Sequence, residues 1–440
     1  MKRIFPDKEY CIGCKLCELA CLVVHSESKD LIAAYKDERI RGLAPSIQVI
    51  GKDDTCVAVS CRHCGEPACV EVCNVGALSK DPATGIVHYN TAQCVGCWSC
   101  MVACPYDSIK RNKFLNKIIK CDLCSGREDG PACVQVCPNR SLKYEERSIL
   151  YDRAENSGIS LKLSDGRGPS LGADCVILSG AEEASVLGCT EPCFRVKFEA
   201  ISKDLKRAVV VGSGHCGLKA AEILYESGVE VTIVEKAFRV LPQNSDGQAA
   251  SLMSRRIKDA GLTIKLGTAV RDVIRDDGGR VKGVLLSDRS FLEAGAVIFT
   301  SGVSLDDCVS GHFTGKTSEG NERTVLDSIT ISSISFCGLA MVSAGILGPE
   351  LDLADEDAEY DSYFYCDEVK QIYRKLVFKD QLLVGYILVG DIESCSILTS
   401  FIKFKLKIGA DSQGQFCRGG PNLLMWPDNF FDKQWNPEKS

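Results

Sequence analysis

Long apolar runs are missing from this sequence. No stretch of its 440 residues approaches the ~18 consecutive apolar positions that a membrane-spanning helix needs, so a helical membrane protein is excluded. Basic excess is missing too: 52 lysines and arginines stand against 59 aspartates and glutamates, for a net charge of −7. That balance offers no footing to nucleic acid or to an anionic membrane. Histidine is scarce, at five residues that form no cluster, so no histidine-based metal centre is expected. The opening residues, MKRIFPDKEYC, hold no apolar h-region, cleavage site or twin-arginine signal, and a cytoplasmic protein is the expectation. With 45% hydrophobic and 25% charged residues, the composition is otherwise that of a globular chain long enough for two or three domains.

Cysteine is what the sequence has in excess. There are 26, and 17 of them fall in the first 137 residues. At that density, in a reducing compartment, metal is expected rather than disulfides. Four groups stand out. The first is Cys11, Cys14, Cys17 and Cys21, spaced C-x2-C-x2-C-x3-C. The second, Cys61, Cys64, Cys69 and Cys73, has a wider middle gap. The third, Cys94, Cys97, Cys100 and Cys104, repeats the first spacing and is followed by Pro105. The fourth, Cys121, Cys124, Cys133 and Cys137, carries an eight-residue insertion and ends before Pro138. A C-x2-C-x2-C loop lets three thiolates wrap one iron–sulfide cube while its amides turn inward. The fourth cysteine sits on the next helical turn, points away and serves a neighbouring cube. Sixteen such ligands suffice for four [4Fe–4S] clusters. Zinc, the alternative, uses pairs separated by longer spacers and has no need of this third and fourth cysteine.

The order of these groups, with CRHCGEPACVEVCNVGAL, CVGCWSCMVACPYDSI and KIIKCDLCSGREDGPACVQVCP, resembles the four-cluster ferredoxin subunits. Those subunits accompany DMSO reductase, formate dehydrogenases, hydrogenases and carbon monoxide dehydrogenase, the last being the nearest likeness through KCDLCSGRE. The resemblance covers residues 1 to about 145 and implies that the first group pairs with the fourth and the second with the third. It implies four ligand sets: Cys11, Cys14, Cys17 and Cys137; Cys21, Cys121, Cys124 and Cys133; Cys61, Cys64, Cys69 and Cys104; and Cys73, Cys94, Cys97 and Cys100. Cys56 lies outside the pattern and is read as a buried, inert thiol rather than a spare ligand. The run Lys110, Arg111, Lys113, Lys117, Lys120 is read as a hairpin with a solvated face; the alternatives are docking to an acidic partner or offsetting the charge of the clusters.

Residues 206–235 carry a second motif, KRAVVVGSGHCGLKAAEILYESGVEVTIVE. A strand over Ala208–Val211 runs into Gly212-x-Gly214-x-x-Gly217. A helix follows with Ala220 and Ala221 toward the sheet, and a second strand ends in Glu235. This is a dinucleotide-binding fingerprint: the glycines allow a tight turn and close backbone approach to a pyrophosphate, and the acid can accept hydrogen bonds from a ribose, favouring NAD. Gly212, Gly214, Gly217 and Glu235 are therefore the candidate cofactor residues, and no catalytic residue is assigned. With Leu163-Ser-Asp-Gly, Ala173–Ala181, Ala294–Val303 and the stretch FCGLAMVSAGI to SILTSFI, residues 160–408 resemble the pyridine nucleotide–disulfide oxidoreductases, in particular NADH oxidases and rubredoxin reductases. Such enzymes begin with their own FAD-binding GxGxxG and carry a later Gly-Asp motif. Here neither the fifteen residues after the ferredoxin part nor the stretch 309–331 supplies them, and G-V-x-P-N is replaced by Gly302-Val-Ser-Leu-Asp306. FAD is therefore not expected, while NAD binding is left open. A flavin normally converts the two-electron hydride of NADH into the single electrons a cluster accepts, so NADH-linked activity is doubted.

Minor candidates receive structural readings. Cys175, Cys189, Cys193 and Cys216 are taken as scattered thiols, His215 as solvent-facing, and 350–361 as an acidic linker. The end with Trp426 and Trp435 is read as a cover for a partner or for this chain. The expected architecture is an α+β tandem bacterial-type ferredoxin domain (1–147), a remnant of a flavin-binding domain (148–205), an α/β Rossmann-like domain (206–303), a small α+β, dimerisation-like C-terminal domain (304–410) and a tail (411–440). The leading functional reading is an iron–sulfur electron-transfer subunit of anaerobic metabolism. It would serve a carbon monoxide dehydrogenase first, then a hydrogenase, formate dehydrogenase or aldehyde oxidoreductase, with a homodimer formed through its C-terminal half. The alternatives are an NAD(H)-dependent, flavin-linked oxidoreductase and a second half that serves only as an assembly scaffold.

Overall fold

The computed structural model describes residues 2–52, 55–112, 114–146, 160–163, 175–178, 185–187, 205–277, 280–300, 328–347 and 360–419. The chain divides into two units. One comprises Met1–Ile159, Asp380–Leu383 and Ile392–Ser440; the other comprises Ser160–Lys379 and Val384–Asp391.

In the first unit, β1 (Arg3–Pro6) is followed by helix α1 (Leu16–His25) and the hairpin β2 (Gln48–Lys52) and β3 (Thr55–Val59). Then come α2 (Ala68–Glu71), the hairpin β4 (Leu78–Lys80) and β5 (Val87–Tyr89), and α3 (Ser99–Ala103). The hairpin β6 (Lys110–Asn112) and β7 (Lys117–Ile119), α4 (Ala132–Gln135) and β8 (Leu142–Glu145) complete the ferredoxin part. β8 returns to pair antiparallel with β1, Ile4 facing Tyr144, so the two ends of this part are stitched together. The helices are short because each begins inside a cysteine loop and is stopped within one to three turns. α1 packs on α4, and α2 on α3. The core is unusual in being partly sulfur: Cys17, Cys21, Cys61, Cys121 and Cys133 are buried together with Ile4, Ile47, Leu123 and Leu142.

The second unit contains β9 (Ser160–Leu163), β10 (Cys175–Leu178), β11 (Ser185–Leu187), β12 (Arg207–Val211), α5 (His215–Glu226), β13 (Glu230–Glu235), α6 (Gly247–Asp259), β14 (Thr263–Leu266), β15 (Val270–Arg275), β16 (Val281–Leu286), β17 (Phe291–Glu293) and β18 (Ala296–Phe299). β19 (Ser328–Phe336), β20 (Leu339–Gly345), β21 (Asp361–Asp367), β22 (Ile372–Lys379) and β23 (Leu382–Val389) follow, the first two residues of β23 being counted with the first unit. One six-stranded sheet runs β11-β10-β18-β12-β13-β14, with β18, β12, β13 and β14 parallel. Val209, Val210, Ile233 and Ile298 are buried along it, the unbroken apolar runs of a parallel sheet covered on both faces. Ala220 and Ala221, at 2% and 0% exposure, let α5 lie close against it. The second large sheet runs β21-β22-β23-β20-β19-β9. This is a Rossmann-like domain joined to a C-terminal domain, in line with the expected fold class.

The first unit also takes up C-terminal residues. Helix α7 (Cys395–Lys403) packs against α3, and α8 (Ala410–Gly419) meets it edge-to-face through Phe401 and Phe416, whose ring centroids are 5.2 Å apart. Within the second unit Asp246 joins α6 to the C-terminal sheet. Its carboxylate caps α6 at Ala249 N (3.0 Å), accepts the Tyr373 hydroxyl (2.6 Å) and lies 3.5 Å from Lys375 Nζ. Asp246→Ala removes the cap and both partners' counter-group and should lower stability by about 2–3 kcal/mol. Asp246→Asn keeps the cap and should cost less; chemical denaturation followed by circular dichroism checks both.

Candidate functional site

The cysteine loops are shaped by left-handed backbone. In the first and third groups Gly13 (φ 69°) and Gly96 (φ 68°) stand before the second cysteine, and Lys15 (φ 60°) and Trp98 (φ 68°) stand after it, each preceding a helix. In the second and fourth groups His63 (φ 45°) and Leu123 (φ 61°) occupy the glycine's place. A non-glycine residue held there costs about 1–2 kcal/mol, which the surrounding structure has to offset. The return is geometric: alternating left- and right-handed residues turn successive N–H groups to one side. At Gly96 a side chain is excluded outright, because a Cβ would lie 2.3 Å from the Asn116 carbonyl oxygen.

Several backbone amides point at sulfur. Ser46 N donates to Cys21 Sγ (3.3 Å), and His63 N, Ser108 N and Leu123 N donate to Cys61, Cys104 and Cys121 Sγ at 3.4 Å each. The hydroxyls of Ser141 and Ser99 lie 3.2 and 3.5 Å from Cys137 and Cys97 Sγ. Such donors favour a thiolate and, in an iron–sulfur site, tune its potential.

Burial acts the other way. It pushes the thiol of Cys17 up to about 12, that of Cys64 to about 12 and that of Cys104 to about 11, and it raises Cys69, Cys97, Cys100, Cys121 and Cys133 as well. After burial, the through-space influence of other thiols shows which of them are neighbours. Cys11 feels Cys56 and then Cys137, and Cys17 feels Cys11 and Cys14. Cys133 feels Cys21 and Cys124, and Cys121 feels Cys21 and Cys133. Cys69 feels Cys104, Cys61 and Cys64. Cys100 feels Cys97, Cys94 and Cys73. Links between these groupings run Cys17 to Cys133, Cys121 to Cys61, and Cys69 to Cys100. The sixteen thiols thus form one run in the order of the four implied ligand sets, with neighbourhoods that overlap: Cys61 acts on Cys121 more than Cys21 does, and Cys69 on Cys100 more than Cys94 does.

A coordinating cation would deprotonate thiols that burial alone keeps neutral. Zinc does not fit. Four thiolates at about 2.3 Å from one zinc lie about 3.8 Å from each other. Among the described residues no three thiols come within 4.8 Å of one another. The groups are spaced for a core larger than a single ion. At one end of the run a small open recess is lined by Tyr10, Cys11, Ile12, Cys14, Cys17 and Cys137, with Cys14 exposed.

The basic run differs from the expected solvated face. Lys117 Nζ reaches the Cys94 carbonyl, Lys120 Nζ donates to Val87 O (2.7 Å) and Cys121 O (2.9 Å), and Lys110 pairs with Asp107 (2.5 Å). Arg111, its side chain 9% exposed, lies 3.5 Å from Glu393. The β6–β7 hairpin packs against the cysteine loops, so its long side chains turn inward to their carbonyls; Lys113 lies outside the described residues. Cys56 is half-buried, and its Sγ would lie 3.0 Å from a Cβ at Gly13, beside the first loop.

Residues that spacing did not single out also gather here. His25 Nε2 bonds Asp122 (3.1 Å) while Nδ1 bonds the Cys21 carbonyl (2.7 Å); the Asp122 bond is the main cause that lifts its pKa to about 11. Asp107, buried beside α3, accepts the Ser396 hydroxyl at 2.7 Å from α7. Nothing in the sequence signals a contact between positions 289 residues apart.

In the second unit Gly212 (φ 104°) opens the turn after β12. At Gly217 a Cβ would lie 2.0 Å from Gly212 O, so only glycine lets α5 begin there, while Gly214 has open space within 4 Å. Glu235, at the end of β13, accepts from Ser213 N and Oγ (2.7 Å each) and from Ala237 N (2.9 Å). His215 is half-buried and bonds Ser332 Oγ through Nε2 (2.7 Å), rather than facing solvent as expected. Cys189, Cys193, Gly302–Asp306, Trp426 and Trp435 lie outside the described residues, as do all but the edges of the stretches 309–331 and 350–361.

Family models match three consecutive segments: a 4Fe-4S dicluster domain over 53–147, a pyridine nucleotide-disulphide oxidoreductase over 153–327, and a rubredoxin NAD+ reductase C-terminal domain over 332–406. The putative electron transport protein YsaA of Escherichia coli K12 is 40% identical over 142 residues, covering 32% of this chain and 87% of that protein. The electron transport protein HydN of the same organism is 37% identical over 162 residues, covering 33% of this chain and 89% of its own length. The putative oxidoreductase UacF, also from E. coli K12, is 30% identical over 241 residues, 54% of this chain and 34% of that one. The chain therefore belongs to the 4Fe–4S dicluster ferredoxin family of electron transport proteins, here fused to a pyridine nucleotide-disulphide oxidoreductase segment and a rubredoxin reductase C-terminal domain.

Proposed function

We propose that this chain is an electron-transfer subunit that passes single electrons between a catalytic redox subunit and a further carrier. The observation that supports the reading is a run of sixteen neighbouring thiols, no three of which lie close enough together for one zinc among the described residues. Cys11, Cys14, Cys17 and Cys137 would hold one [4Fe–4S] cluster, and Cys21, Cys121, Cys124 and Cys133 the next. Cys61, Cys64, Cys69 and Cys104 would hold a third, and Cys73, Cys94, Cys97 and Cys100 the fourth. A cluster bound in such a set supplies one-electron redox chemistry. The chain's own residues hold the thiolates in register, aim amides at them and bury half of them, Cys14 being the exposed one. The catalytic partner is a carbon monoxide dehydrogenase-like enzyme first, then a hydrogenase or formate dehydrogenase; the likeness to electron transport proteins supports a partner of this kind. The protein works in the cytoplasm, and its C-terminal half supports a homodimer. The domain limits are 1–147, 148–205, 206–303, 304–410 and 411–440.

Anaerobically purified protein should contain about sixteen iron and sixteen sulfide per chain, four of each per cluster, and no zinc. Iron far below that, or zinc in its place, overturns the reading. Cys100→Ala should abolish the electron paramagnetic resonance signal of one cluster and leave the other three. Affinity purification of the tagged full chain from anaerobic cells should bring down a catalytic redox enzyme, and its absence would count against the partner assignment.

A second reading, a chain that also binds NAD, is favoured by the glycine turn and by Glu235 at the strand end. Glu235 would have to exchange Ser213 for ribose hydroxyls. Calorimetric titration should then show NAD binding that is lost in Gly217→Val. No flavin should accompany the protein, and NADH alone should leave the cluster absorbance unbleached while dithionite bleaches it. About one flavin per chain would make this an NADH-linked oxidoreductase instead.

A further inference from the structure

Lys120 directly precedes Cys121 and lies where the second and third thiol neighbourhoods meet. Its side chain is buried, the residue being 8% exposed, and its Nζ donates to Val87 O (2.7 Å) and Cys121 O (2.9 Å). Val87 is held from the other side as well: its N–H donates to His63 Nδ1 at 3.0 Å. His63, between Cys61 and Cys64, therefore carries its proton on Nε2 and is a neutral imidazole. The histidine thus brings no charge to this junction; Lys120 brings one, and Arg3 and Arg62 act on Cys64 nearby. Across the junction Cys121 and Cys61 influence one another, and Lys120 also acts on Cys69.

Among the described residues no carboxylate lies within 4.0 Å of Lys120 Nζ. The neighbouring basic residues Lys110 and Arg111 do have carboxylate partners, Asp107 and Glu393. Carbonyl oxygens solvate an ammonium but do not neutralise it, and a buried charge without a counter-charge costs several kcal/mol. Cys121 of one proposed ligand set follows it in the chain and Cys69 of another feels its charge, and both sets become net negative once they hold iron and sulfide. We propose that Lys120 is a positioning residue for electron transfer. Its charge raises the reduction potentials of the two inner sets, Cys21/Cys121/Cys124/Cys133 and Cys61/Cys64/Cys69/Cys104, relative to the two outer ones. A positive charge close to a redox centre favours its more negative, reduced form, and the effect weakens with distance and solvent screening.

The inference rests on the ligand sets proposed above. Iron analysis of the unaltered chain separates the two: iron far below about sixteen overturns the sets, whereas the variants below test the lysine. The experiment is a potentiometric titration of the full chain followed by electron paramagnetic resonance, comparing the unaltered protein with Lys120→Met, Lys120→Gln and Lys120→Arg. The expected result is that two of the four couples move to lower potential in Lys120→Met and Lys120→Gln, the other two hold, and Lys120→Arg restores the original pattern. Lys120→Gln keeps an N–H donor for the carbonyls, so its shift reads the charge and not the hydrogen bonds. Iron loss confined to the two neutral variants and absent from Lys120→Arg also supports the proposal. Full iron with unmoved couples in Lys120→Gln overturns it, as does an equal shift of all four couples, or iron loss in Lys120→Arg as well.

Discussion

Thiols crowded out of water are the constraint on which the first unit depends. Cys100 and Cys121 are buried among other thiols, and burial, before the thiols around them, drives each toward its neutral form. As thiolates they would repel one another. A shared cationic core would hold them as thiolates side by side. The features of the surrounding chain follow from it: amides aimed at sulfur, left-handed residues that aim them, and lysines that bind the loop carbonyls.

The β6–β7 hairpin shows how far this reaches. Read as a string, alternating basic and apolar residues describe a strand with one wet face. In the structure the hairpin lies over the cysteine loops, and Lys117 and Lys120 have nearer acceptors in Cys94, Val87 and Cys121 carbonyls than in water. The same surroundings explain α7. Cys395, Ser396, Ile397, Leu398 and Phe401 are all buried, and Asp107 receives the Ser396 hydroxyl at the start of the helix, where a carboxylate is favoured. A segment within the match to a reductase C-terminal domain thus supplies part of the wall around a cysteine-bearing helix.

The second unit keeps the backbone of a nucleotide-binding turn under steric compulsion. Gly217 has no room for a side chain, and Asp246 ties α6 to β22 through Tyr373 and Lys375. Its acid is engaged at home: Glu235 holds the glycine turn through Ser213. That bond shapes the turn and competes with a ribose for the same oxygens, which makes nucleotide affinity a matter of exchange rather than of an empty acceptor.

What the sequence determined by itself was everything local. Cysteine spacing, the glycine turn with its strand, helix and acid, and the small Ala220 and Ala221 are short-range patterns, and their geometry follows from the reach of a few residues. The internal echo of PACVEVC and PACVQVC is legible in the same way, and both become a short helix after proline. The tertiary structure decided what depends on distance in space. It set the inward turn of Lys117 and Lys120, the neutral tautomer of His63, the Asp122–His25 pair beside Cys21, and the meeting of Ser396 with Asp107. A side chain's partner and charge depend on which carbonyls, carboxylates and water lie nearest, and those neighbours come from segments tens to hundreds of residues away.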